Sequence, residues 1–316
     1  MTPGQGIRPG GPGAPDGTLD PHARATLGKA AAENFPVAPA FLPRAWRAGL
    51  MAVYGYARLV DDIGDGDLAP GGRDAVLLGL DPAASDDRDA MLDALEADLM
   101  RVFGGTDGPP RHPLLLALPP VVRAHDLTPE PFLGLIGANR QDQRVARYET
   151  YADLLAYCEL SANPVGRLVL SLTGTSTPER VRLSDAVCTG LQIAEHLQDV
   201  AEDLGRDRVY LPAEDMRRFH VTEADLKAPT AGASVRALIA FEAERARRLL
   251  DQGIPLVGSV HGRLRLLLAG FVGGGRAALR AVSDAGFDPL PGPPKPTRSG
   301  LLREVAAVLR TAPRKG

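Results

Sequence analysis

Cysteine is nearly missing: Cys158 and Cys188 are the whole complement of 316 residues. Two cysteines make no disulfide framework, and they fit a reduced, cytoplasmic setting. Aromatic residues are only 5% of the chain, so few rings can line a pocket. No run approaches about 18 consecutive apolar residues, so no membrane span is expected. The six histidines are scattered without zinc-like spacing. The net charge is −3 and no basic run stands out, which argues against nucleic acid as the main partner. Residues 1–17 are rich in Gly and Pro and lack the apolar core of a secretory signal. Alternating strand patterns and internal repeats are absent too.

What is present is helical period. Trp46, Leu50, Val53, Tyr54, Ala57 and Val60 recur at helix spacing behind Pro43. Further helices are expected over residues 20–32, 90–103, 114–124 (interrupted by Pro119 and Pro120), 129–147 and 151–161. Beyond these lie 178–204, 234–253, 255–282 and 301–309. Asn163-Pro164 breaks the run after 151–161, and residues 68–89 read as a loop or mobile lid. The fold class is therefore all-α, a single-domain helical bundle around a central cavity. We expect a disordered tail over 1–19, the domain over 20–290, and a linker, short terminal helix and basic tail over 291–316.

Two acidic stretches stand against the logic of stable helices. Glu195, Asp199 and Asp203 recur every four residues, which stacks them on one helix face. Their column runs toward Gly205, a natural C-cap, so the acids meet the unfavourable end of the helix dipole. Asp61 and Asp65 repeat the pattern before Gly66. Two such ends facing each other would form an oxygen-only site for a hard cation, with Mg²⁺ best suited. Taken singly, each cluster also reads as a solvated helix end.

The segments around these acids resemble the squalene/phytoene synthase family. The resemblance rests on Val53-Tyr54-Gly55-Tyr56-Ala57-Arg58-Leu59-Val60-Asp61-Asp62 and on Gln198-Asp199-Val200-Ala201-Glu202-Asp203 with Arg208-Val209-Tyr210-Leu211-Pro212. Glu33-Asn34-Phe35-Pro36-Val37-Ala38, Gln141-Asp142-Gln143 with Arg147-Tyr148, and Ser161-Ala162-Asn163-Pro164-Val165-Gly166 are similar to the bacterial hydroxysqualene synthase branch. The resemblance spans about residues 25–290. It implies an isoprenoid synthase bundle, and conversion of presqualene diphosphate and water to hydroxysqualene and diphosphate in hopanoid biosynthesis. One departure is Glu195, where the family's second motif usually carries Asn. Another is Gln198, where condensing relatives often carry Arg.

On this basis Asp61, Asp65, Glu195, Asp199 and Asp203 are the expected Mg²⁺ ligands. Asn34, Arg58, Gln141, Asp142 and Arg208 are expected at the substrate, and Tyr54, Phe35, Tyr157 and Asn163 at the reacting centre. Each has a plainer alternative: an Arg58 ion pair with Asp61 or Asp62, core packing for the aromatics, turn capping for Asn34 and Asn163. Arg140, Arg144 and Arg147 are weaker diphosphate candidates, and His196 is read as structural, pointing off the acidic face. No NADPH is expected, because water rather than hydride quenches the cation. Rival readings are head-to-head condensation of prenyl diphosphates to presqualene diphosphate, squalene or phytoene, and a weakened homologue that scaffolds partner prenyl synthases. Peripheral membrane contact through residues 255–282 or the terminal helix competes with plain burial of both.

Overall fold

Apolar stripes become helices here wherever a neighbour exists to bury them. The computed structural model describes residues 26–29, 37–104 and 108–312. Its helices are α1 (Arg44–Asp65), α2 (Arg73–Leu78), α3 (Arg88–Val102), α4 (Leu118–His125), α5 (Glu130–Asp142), α6 (Tyr151–Ser161) and α7 (Asn163–Leu172). They continue as α8 (Pro178–Gln198), α9 (Val200–Gly205), α10 (Ala213–Arg218), α11 (Glu223–Leu226), α12 (Ala233–Gly258), α13 (Gly262–Asp284) and α14 (Arg298–Thr311). Among the described residues no strand forms, and extended pairing is limited to a bridge between Arg147 and Val209. The all-α bundle expected from periodicity is what the chain adopts.

Helix α1 buries Leu50, Val53, Tyr56, Leu59, Val60 and Ile63 and ends at Gly66, whose φ of 74° closes a left-handed cap. Helix α6 starts on a capping box, Thr150 bonding the Asp153 amide while Asp153 returns to Thr150. Three of the four longest elements, α8, α12 and α13, pack on one another. Close approach of α12 to α8 depends on Gly253, where an added Cβ would stand 2.1 Å from Val187 Cγ2.

Several boundaries differ from expectation for identifiable reasons. Pro119 and Pro120 do not interrupt α4 but open it, in the first turn where a missing N–H costs nothing. Pro255 does not start a helix: α12 runs through it to Gly258, because Leu256 and Val257 beyond it are fully buried. The long acidic helix is kinked at Asp199 (φ −102°, ψ 15°), separating α8 from α9. Gly205 is the last residue of α9 rather than its cap. Residues 68–89 are not a loop throughout: α2 and a 3-10 turn, Pro82–Asp86, form there. His112 pins this segment, with Nε2 3.1 Å from Asp74 and its backbone amide donating to Asp98 (2.9 Å). Helix α13 is long and apolar enough to cross a bilayer, yet 67% of its apolar window is buried against protein. The tails at 1–19 and 313–316, and most of the helix expected over 20–32, lie outside the described residues.

A charged cluster sits in the core at the α10–α12 contact. Glu242, 1% exposed, lies 3.1 Å from Arg245, which also pairs with Asp215 and stacks 4.3 Å from the Tyr151 and Phe241 rings. Burial pushes the Glu242 carboxyl up to about 8 from an ordinary 4.5. Between those values the native state keeps a proton the unfolded state has lost, so raising pH through that window costs stability. Thermal melts between about pH 5 and 8 should fall less steeply for Glu242→Gln than for wild type. Equal slopes would contradict this role for Glu242.

Candidate active site

Helices α1, α7, α8, α12 and α13 surround a cavity of about 410 Å³. Its wall is mostly hydrocarbon, including Leu50, Val53, Val169, Leu191, Leu268 and Phe271. Such a volume, with few polar groups, is typical of sites for small organic ligands. Arg58, Asp61 and Glu195 line the same hollow, so both acidic helix ends meet at one cavity.

Helix period sets which acids face it. Asp61 opens onto the hollow, while Asp62, one residue on, turns into the packing and pairs with Arg58 (2.9 Å) and Lys29 (2.7 Å). Asp61 is exposed to the hollow, and the protein mass around that hollow is the first cause that lifts its carboxyl to about 7, against a bond from Asn139 Nδ2 (3.3 Å) and with the Asp65 charge adding to it. Asp199 is lifted to about 6, by burial first and then by Glu195, Asp203 and Glu202. No ion pair to Asp199 occurs among the described residues. Asp65 is better compensated: Arg208 lies 2.7 Å and Arg206 3.0 Å away. Those arginines come from the loop after α9, so they tie the end of α1 to the second acidic stretch.

Among the described residues no three donors converge closely enough to hold an ion unaided. The donor set is nonetheless all carboxylate oxygen, and two of its members are held above their usual range, by burial first and then by neighbouring carboxylates. That fits a hard cation whose remaining ligands are water and substrate oxygens. The kink moves Asp203 into the first turn of α9, so the unfavourable dipole acts on Glu195 and Asp199 but not on Asp203.

The other expected residues divide. Tyr54 lines the cavity. Arg58 lines it too, and forms the expected intrahelical pair, with Asp62. Tyr157 does not belong to the wall: its hydroxyl donates to Asp142 (2.8 Å) and its ring packs 5.5 Å from Tyr210. Asp142 accepts from Tyr210 as well (3.2 Å), and Gln141 donates to Tyr148 (3.3 Å). Gln141 and Asp142 thus anchor an aromatic buttress rather than open to the hollow. Asn163 is committed on both sides, accepting from Thr189 (3.0 Å) and donating to Glu159 (2.8 Å). Arg140 pairs with Asp93 and Glu96, Arg144 with Asp89, and Arg147 with Glu223 and Asp207, so none reaches the cavity. Phe35 and Asn34 lie outside the described residues.

Sequence reasoning missed several neighbours. His196 makes a structural contact, stacking on Tyr210 at 3.7 Å, and its Nδ1 lies 3.6 Å from Asp203. Its spacing of four from Gln192, whose amide faces it at 3.2 Å, was the available signal. Asn139 had no signal, since its partner Asp61 is on another helix. Gln198 lines the cavity and donates to the Pro294 carbonyl in the segment before α14. Burial pushes the Cys188 thiol, also in the wall, up to about 12, which excludes a thiolate there at neutral pH.

The squalene/phytoene synthase family model matches residues 29–301. A hydroxysqualene synthase of Zymomonas mobilis is 31% identical over 230 residues, covering 72% of this chain and 71% of the relative. A phytoene synthase of Arthrospira platensis is 30% identical over 239 residues, covering 71% and 72%. The crystal structure of squalene synthase HpnC from Alicyclobacillus acidocaldarius superposes with a TM-score of 0.72 at 41% identity, covering 84% of this chain and 93% of that one.

The α1–α5 contact carries a checkable consequence. A Cβ at Gly64 would stand 1.9 Å from Asn139 Oδ1 and 2.7 Å from its Cγ, forcing Asn139 off Asp61. Gly64→Ala should destabilise by about 1–3 kcal/mol in denaturant melts. The Gly64→Ala/Asn139→Ala double variant should lose less than the two single losses added, because the clash and its victim are then both gone.

Proposed function

This chain belongs to the squalene/phytoene synthase family, and from that premise we propose that it is a Mg²⁺-dependent hydroxysqualene synthase. It would convert presqualene diphosphate and water to hydroxysqualene and diphosphate, without a nicotinamide. The observation that carries the proposal is a hydrocarbon-walled hollow with carboxylates from α1 and α8 lining it together. The choice of branch is supported by the relatives named hydroxysqualene synthase and by the segment from Ser161 to Gly166, four of whose members line the wall.

Chemistry in such a hollow begins with the C–O bond to diphosphate. The leaving group departs only as fast as its growing negative charge is neutralised. Asp61, Asp65, Glu195, Asp199 and Asp203 would hold Mg²⁺, which when bound supplies Lewis-acid neutralisation and a template for the diphosphate. Arg58 is the chain's own cation in the wall, and Arg208 stands beside Asp65 to meet outer phosphate oxygens. Asn34 is proposed as a substrate contact and Phe35 as a further aromatic facing the cation. The hydrocarbon wall folds the prenyl chains and keeps bulk water from the cation. Tyr54 adds π density to that wall, worth up to about 2 kcal/mol to a desolvated cation. Tyr157, Gln141, Asp142 and Asn163 act from behind, by fixing the helices that bear the acids.

The phytoene synthase relatives favour one rival, head-to-head condensation of prenyl diphosphates. Product analysis of the purified protein with Mg²⁺ separates the two. Presqualene diphosphate should give hydroxysqualene equally with and without NADPH, and farnesyl diphosphate alone should give nothing. Product from farnesyl diphosphate, or a hydrocarbon that depends on NADPH, would refute the proposal.

A further inference from the structure

The helices that wall the cavity also give the molecule two unlike ends. Leu50 and Asp61 of α1 both line the hollow, as do Ser184 and Glu195 of α8. Each pair is eleven residues apart, about 16 Å of helix. The carboxylates mark one end of the cavity, so the N-termini of α1 and α8 lie together at the other. Helix α7 ties them there, with Leu172 packed at Gly49 and Gly166 against Ser184 and Cys188. Val121 packs at Gly49 too, which brings in α4. Arg180, at the start of α8, donates to the Ser259 carbonyl between α12 and α13. Arg265 of α13 donates to the carbonyls of Leu309 (3.0 Å) and Ala312 (3.2 Å), which adds the end of α14.

This second end is basic. Arg44, Arg123, Arg182, Arg263 and Arg310 are exposed on it, and none makes an ion pair among the described residues. Arg180 and Arg265 are held by carbonyl oxygens rather than carboxylates, so their charge also stands uncompensated. The carboxylates described here are Asp126, Glu130 and Glu179, fewer than the arginines. Helices α1, α8 and α13 present their N-termini on the same side, which adds positive dipole ends. Two large apolar side chains stand in this field. Phe41 (43% exposed) is three residues from Arg44, and Leu266 (47% exposed) is three from Arg263.

We propose that this end is a docking surface for an anionic phospholipid bilayer. The arginines meet lipid phosphates and carboxylates, and Phe41 and Leu266 enter the boundary between headgroups and acyl chains. A nucleic acid would match the charge and offer Leu266 no apolar phase. The contact uses only the first turns of α13 and the end of α14, because most of the apolar stretch of α13 is packed against protein. So seated, the hydrocarbon end of the cavity at Leu50 and Leu256 lies nearest the lipid, and the carboxylates face water. The inference goes beyond the reaction proposed above and does not depend on it.

The test is co-sedimentation of the full chain with vesicles of phosphatidylcholine, alone or with about one third phosphatidylserine. Wild type should bind the anionic vesicles and not the neutral ones, and added salt should weaken the binding. Each arginine near such a surface adds roughly fivefold, so Arg44→Gln/Arg182→Gln/Arg263→Gln should bind about a hundredfold more weakly. Arg88→Gln/Arg144→Gln/Arg217→Gln, which removes exposed arginines elsewhere on the molecule, should bind as wild type does. Phe41→Ser/Leu266→Ser should bind about fivefold more weakly or worse. Thermal melts confirm that each variant is folded. No binding to anionic vesicles, equal binding to both kinds, or an equal loss in the two arginine triples overturns the proposal. Unchanged binding in the first triple or in the apolar pair does so too. Tight binding to polyuridylate with none to vesicles assigns the surface to nucleic acid and overturns it as well. Vesicle binding needs no turnover, so its failure leaves the reaction proposed above standing, and an inactive wild type leaves the vesicle result readable.

Discussion

Like charge gathered in a hollow of low polarity is the constraint on which the site depends. Asp199 stands among Glu195, Asp203 and Glu202, and its carboxyl is lifted to about 6. Asp61 is lifted to about 7 where α1 meets the same cavity. The Asn139 amide and the Arg58 charge relieve Asp61 only in part, and the close arginine pairs form at Asp62 and Asp65. Carboxylates so placed fit a cation, and a cation held there would carry free coordination positions toward a phosphorylated ligand.

The rest of the fold serves to hold those carboxylates in place. The Arg206 and Arg208 contacts to Asp65 tie one acidic stretch to the other. Behind them Tyr148, Tyr157, Tyr210 and His196 stack into a rigid layer anchored on Asp142. The hydrocarbon wall comes from the inner faces of the long helices, which approach closely through Gly253. Polar chemistry at one end and a dry wall elsewhere suit a ligand with a charged head and greasy chains.

Much of this was legible before any coordinates. Helical period alone gave the bundle, and the four-residue spacing of acids drew attention to Asp61 and Glu195, which line the hollow, and to Asp65, Asp199 and Asp203, which are not in its wall. What the chain order hides is direction. Asp61 and Asp62 look alike in sequence, yet one faces the hollow and the other pairs with Arg58, because a helix turns about 100° between neighbours. Tyr157 and Asn163 sit in suggestive segments, but hydrogen bonds to Asp142, Glu159 and Thr189 draw them away from the wall. Pro255 illustrates the opposite failure: local propensity forbids a helix there, and burial of Leu256 and Val257 overrides it.

The proposed cation site at the shared cavity is tested most directly by calorimetric titration with inorganic diphosphate, with Mg²⁺ and in EDTA. Binding should require Mg²⁺ and weaken by at least about tenfold in Asp199→Asn. Equally tight binding in EDTA, or an Asp199→Asn variant indistinguishable from wild type, would contradict a site organised around a missing positive charge.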